Sequence, residues 1–215
     1  MTSNKDEELA SMSLMDHLTE LRNRIGIIFI AFVVLFLLCF IRPFGEGSFN
    51  AADYVYFWLQ APLAEILAER GGRMIFTGLH EGFFTQVKVA FFISISITFP
   101  LILLQVWRFV APGLYRNERS AFMPFLLATP ILFAMGTAMV YYLVIPLAWE
   151  FFLSFETMGT SSSLPIQLEA KVNEYLSLIM RLIFAFGISF QLPILLNLLA
   201  RIGVVNSEYL KKSRR

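Results

Sequence analysis

The sequence predicts an all-α membrane protein. It has four transmembrane helices, an amphipathic N-terminal helix and a short helix in the first outer loop. Three observations carry that expectation. The 215 residues are 57% hydrophobic and only 15% charged, with 23 Phe, more apolar surface than a soluble domain of this length can hide. Four windows hold no charged residue: Ile25–Ile41, Val89–Trp107, Ser120–Trp149 and Leu182–Ala200, of 17, 19, 30 and 19 residues. A hydrocarbon core about 30 Å thick needs about 20 helical residues, so each window can span, the first with help from its flanks. Between the windows no segment has the composition of a soluble domain, and no internal repeat is visible. One integral membrane domain is expected over 1–215, with spans at about 23–42, 83–107, 120–149 and 176–200.

The elements follow in chain order. Residues 1–10 are polar and acidic. In SLMDHLTELRNRI, Leu14, Leu18, Leu21 and Ile25 recur at helical spacing, which predicts an amphipathic helix along the membrane surface leading into the first span. Ser13 or Asp16 can cap it. About two dozen polar residues precede that span and no clear cleavage site follows it, so it reads as a retained helix and not a cleaved signal. Arg42 to about Glu81 forms a long loop. Its DYVYFWL stretch suits the headgroup layer. Pro62 opens a short helix, PLAEILAER, which Gly71-Gly72 ends. Lys88, near the start of the second span, is expected to snorkel or to meet Glu81. Pro124, Pro130 and Pro146 lie in the third span, whose excess length predicts tilt or bending. Gly159 to Pro165 is a turn-rich loop tip. The fourth span carries Arg181, Gln191, Pro193 and Asn197.

Charge sets the orientation. Lys and Arg gather on the cytoplasmic side. The N-terminal segment, the loop after the second span and the tail together hold 11, and the other side holds 6. Residues 1–22, 108–119 and 201–215 are therefore expected in the cytoplasm. A net charge of +1 gives no field for nucleic acid. Cys39 is alone, so no disulfide forms within the chain. His17 and His80 have no partners at metal-ligand spacing. No phosphate loop or nucleophile elbow is present. No cofactor and no catalytic residue is expected.

Polar groups inside the spans need a reason. Gln191 sits near the bilayer centre. Its amide either bonds to a neighbouring helix, the favoured reading, or satisfies a carbonyl freed by Pro193 at Ser189. Glu20 can pair with Arg24 one turn on. Glu118 can be balanced by Arg116 or Arg119.

Four motifs together resemble the C subunit of the twin-arginine protein translocase (TatC) family. They are HLTELRNRI before the first span, APL in the first loop, QVWRFVAPGLYRNER between the second and third spans, and FGISFQLP in the fourth. The resemblance covers nearly the whole chain. It implies a non-enzymatic receptor for signal peptides carrying two consecutive arginines, exporting folded proteins with the proton-motive force. The implied partners are those peptides, A- and B-type single-span subunits, further copies of the chain and the lipid bilayer. The implied place is the bacterial cytoplasmic membrane, with a thylakoid or organellar membrane as the second option. The implied recognition residues are Glu20, Arg22 and Arg24 on the N-terminal segment, and Phe109, Pro112, Tyr115, Arg116 and Glu118 in the loop. Two adjacent guanidiniums suit two carboxylates, because Arg–carboxylate pairs form planar forks that Lys cannot make. Ion pairing within the chain then describes the resting state.

Two departures from the family pattern stand out. Gln191 replaces the usual glutamate of the fourth span. It keeps size and hydrogen bonding, so contact with a partner's span survives while ionisation does not. The family has six spans, and four are read here. A truncated fragment that binds signal peptides without transporting is one alternative. A small transporter or channel is another, although it needs an ionisable midplane group.

Overall fold

The computed structural model describes residues 14–41, 49–70, 72–110, 123–157, 164 and 166–201. Its helices are α1 (Leu14–Leu38), α2 (Ala51–Arg70), α3 (Glu81–Val110), α4 (Met123–Met139), α5 (Ile145–Leu153), α6 (Val172–Ser189) and α7 (Leu192–Arg201). Two short strands, β1 (Met74–Ile75) and β2 (Ala170–Lys171), pair in parallel. Four stretches are long and apolar enough to cross a membrane: Leu18–Leu38, Glu81–Val106, Ala128–Leu153 and Val172–Asn197. The described residues thus form an all-α membrane protein with four helices fit to span the bilayer.

The N-terminal segment differs from the expectation of a separate surface helix. From Leu14 onward it is one 25-residue helix continuous with the first span. No proline interrupts the run, so the backbone ladder carries straight through and Asp16 lies inside the first turn instead of capping it. Ser13 lies outside the described residues.

The helix between the first two spans also differs. It starts at Ala51, eleven residues before Pro62. Asn50 Oδ1 accepts the Asp53 N–H at 2.8 Å, and Asp53 Oδ2 accepts the Asn50 N–H at 3.0 Å. This reciprocal capping box nucleates the helix. Asp53 Oδ1 also accepts from Gln86 Nε2 at 2.6 Å, fastening α2 to α3. Pro62 sits inside the helix, where it cannot donate to the Trp58 carbonyl. The Tyr141 hydroxyl donates to that carbonyl instead, at 3.0 Å, and the Trp58 and Tyr141 rings stack at 4.3 Å. Proline is tolerated because another helix supplies the missing donor.

Pro146 is accommodated differently. Val140–Val144 widens into a π turn before α5, and the Ile145 N–H bonds to the Val140 carbonyl. The five-residue register absorbs the donor that Pro146 lacks. Pro124 lies at the start of α4, where nothing is described of its side chain.

α3 is the central element, packed against α1, α2, α4 and α6. Val89, Ala90, Phe92 and Ile93 of α3 join Leu59 and Leu63 of α2 and Leu176, Ile179 and Ile183 of α6 in one buried core. α1 leans on α3 and leaves Ile25, Phe29, Val34 and Leu37 exposed, the surface a lipid solvent covers. Cys39 is buried with its Sγ 3.8 Å from Ser94 Oγ.

The two loops that precede α3 and α6 are tied together. Glu81 accepts from the N–H groups of Thr77 at 2.7 Å and Gly78 at 3.1 Å, and from that of Asn173 at 3.2 Å. Its carboxylate thus caps the turn before α3 and the exposed first turn of α6. The β1–β2 pair joins the same loops. Lys88 turns to Asn173 Oδ1 and not to Glu81, because Glu81 is already engaged by backbone donors. The tip at 158–163 lies outside the described residues. Its base is closed by a Thr157–Ile166 bridge.

Candidate functional site

The site is built where α1 meets the last turn of α3. Glu20 and Arg24 are one turn apart on α1, so both face the same neighbour. Their side chains are 22% and 18% exposed. Arg24 Nε donates to Glu20 Oε1 at 3.0 Å, and its Nη2 donates to the same oxygen. Arg24 Nη1 donates to Gln105 Oε1 at 3.2 Å, and Nη2 to the Arg108 carbonyl at 3.1 Å. Arg108 lies in the last turn of α3, whose final carbonyls lack helical donors. The guanidinium therefore caps α3 and sits at the negative end of its dipole. A single side chain thereby fixes the N-terminal segment against the last turns of α3.

Glu20 uses one oxygen in this arrangement. The other, Oε2, is buried and has no partner among the described residues. Arg22 is exposed, and Phe109 is half-buried on α3. The structure thus brings Glu20 and Arg24 together and sets Phe109 in the last turn of α3. Pro112, Tyr115, Arg116 and Glu118 lie outside the described residues. The Glu20–Arg24 pair was visible as i, i+4 spacing. The roles of Gln105 and the Arg108 carbonyl were not, because both depend on how two distant helices meet. The one available signal was Gln105 itself, a polar side chain at the C-terminal end of an apolar run.

Gln191 forms a second polar point. It is 7% exposed, in the turn between α6 and α7. Its Nε2 donates to the Thr129 carbonyl of α4 at 2.9 Å. The acceptor is on a neighbouring helix, not the Ser189 carbonyl. Pro193 breaks the fourth span just after Gln191, a break the apolar window concealed. Close packing makes the reach short. A Cβ on Gly136 would lie 2.9 Å from the Phe186 carbonyl oxygen, and one on Gly187 would lie 2.6 Å from the Phe133 ring. Paired small residues let membrane helices approach in this way. Among the described residues no three His, Cys, Asp or Glu side chains converge on a metal site.

Comparison with known proteins agrees with this architecture. Residues 16–215 match the family described as Sec-independent protein translocase protein (TatC). A relative of that name from Magnetococcus marinus is 46% identical over 202 residues, covering 94% of this chain and 69% of its own. Those from Rickettsia prowazekii and Escherichia coli are 41% and 37% identical, with 76% and 72% of their lengths covered. A crystal structure titled as the twin-arginine translocase receptor TatC superposes with a TM-score of 0.74 at 34% identity, over 92% of this chain and 80% of that one. The described residues contain four candidate spans, where six are typical of the family. TatC proteins are non-catalytic, multi-pass components of a bacterial membrane translocase, and this chain belongs to the TatC family.

Proposed function

We propose that this chain is the signal-peptide-recognising subunit of a twin-arginine translocase, exporting folded precursors with the proton-motive force. The observation that carries the reading is the state of Glu20. Its carboxylate is held in place by Arg24, which also reaches the last turn of α3, and one of its oxygens is buried without a partner among the described residues. A buried acceptor without a donor costs about 1–3 kcal/mol, so an incoming guanidinium has a ready site. In this reading Glu20 and Glu118 each take one arginine of the peptide, and Phe109, Pro112 and Tyr115 supply apolar surface beside them. Arg22, Arg24 and Arg116 balance the acids until the peptide arrives.

The charge bias favours a cytoplasmic site, with both ends of the chain on that side of the inner membrane. A- and B-type single-span subunits and further copies of the chain are the assembly partners. Gln191 is buried and donates to the Thr129 carbonyl, so we assign it to the packing of α4 on the fourth span and not to a partner's span. Recognition and transport are tested separately. Glu118→Ala should weaken photocrosslinking to a peptide with two arginines and spare a two-lysine control. Equal loss for both peptides removes the loop glutamate from the site. Complementation of a translocase-deficient strain, scored by export of a folded precursor, should succeed if the chain transports. Crosslinking without export would confine its role to recognition.

A further inference from the structure

We propose that the groove between α3 and α6 is a seat for an anionic phospholipid, a site independent of signal-peptide recognition. The groove has a volume of about 530 Å³, and its wall is mostly apolar, with Phe91, Phe92, Met180 and Phe184 beneath Lys88 and Arg181. The two cations come from neighbouring helices. Lys88 lies seven residues into α3 and Arg181 nine into α6. At the helical rise these are depths of roughly 10 and 14 Å, so the charges sit nearly level.

Neither charge is neutralised from within. Arg181 is exposed and has no hydrogen-bond or ion-pair partner among the described residues. Lys88 is exposed, and its bond goes to the neutral amide of Asn173. The nearby acids are engaged elsewhere. Glu81 is held by backbone N–H groups, and Glu174 pairs with Lys171 at 3.4 Å. Two uncompensated cations facing hydrocarbon are costly, and an anion above them offsets that cost. A phosphodiester supplies the charge and the oxygens that accept from both a guanidinium fork and an ammonium. An acyl chain supplies the cover for Phe91 and Phe184. A free anion provides only the first of these.

Native mass spectrometry of the detergent-solubilised chain tests this directly. It is titrated with dioleoyl-phosphatidylglycerol or dioleoyl-phosphatidylcholine. The glycerol lipid should bind more tightly. Lys88→Gln and Arg181→Gln should each weaken it about fivefold, and the pair about thirtyfold. Phosphatidylcholine, whose own choline neutralises its phosphodiester, should lose less affinity in these variants, and Arg181→Lys should keep most of the affinity for phosphatidylglycerol. Ser177→Phe narrows the groove without altering its charge and should also lower affinity, which keeps the test open if a glutamine variant fails to fold. Equal binding of both lipids, or unchanged affinity in the double variant, overturns the proposal. Preferential capture of an acid-bearing single-span peptide in the groove does so as well.

Discussion

At the scale of single residues, Arg24 and Gln191 do different work with similar means. Arg24 turns a local ion pair into a joint between α1 and α3. Arg24→Lys keeps the charge but cannot reach Glu20, Gln105 and the Arg108 carbonyl together. It should therefore lower the midpoint of thermal unfolding in detergent, by less than Arg24→Ala does. Gln191 must donate, since its acceptor is a carbonyl. Gln191→Leu removes that bond and should cost about 1 kcal/mol in a reversible unfolding titration. Gln191→Glu can keep the bond only in its protonated form. The i, i+4 pair was legible in the sequence because its partners are one turn apart. The Thr129 acceptor was not, because a backbone carbonyl 62 residues away leaves no trace in side-chain pattern.

At the scale of elements, prolines and glycines decide which helices meet. Tyr141→Phe strips the donor from the Trp58 carbonyl and should cost about 1 kcal/mol. In a Pro62→Ala background the helix supplies its own N–H, so the same change should cost less. A double-mutant cycle reads the difference. Gly136→Ala places a methyl against backbone that cannot move aside, and should cost about 1–3 kcal/mol. Gly26 has nothing within 4 Å of a built Cβ. Gly26→Ala should be neutral or stabilise by up to about 1 kcal/mol, and equal losses at the two glycines would remove the close approach of α4 and α6 from the account. The four spans were legible because charge is excluded from hydrocarbon over a fixed length. The start of α2 was not, because DYVYFWL has no helical period. Its signal was Asn50 with Asp53, a spacing that marks a capping box.

At the scale of the molecule, α3 is the post to which the other spans attach, and its two ends serve different purposes. Glu81 at one end gathers two loops through backbone donors. Arg108 at the other receives Arg24. The first arrangement is structural, and the second joins α1, which carries Glu20 of the proposed recognition surface, to the last turn of α3. Apolar windows made the four spans legible, while the joints between helices come from bonds across long sequence separations. The central claim is that Glu20 offers its carboxylate to an arginine of the signal peptide. The most direct measurement is photocrosslinking of Glu20→Gln, in its membrane, to peptides bearing two arginines or two lysines. A charge-assisted bond is worth about 1.5–3 kcal/mol, so capture of the arginine peptide should fall at least tenfold with the lysine control unchanged. Undiminished capture of the arginine peptide, or an equal loss for both peptides, would contradict the account.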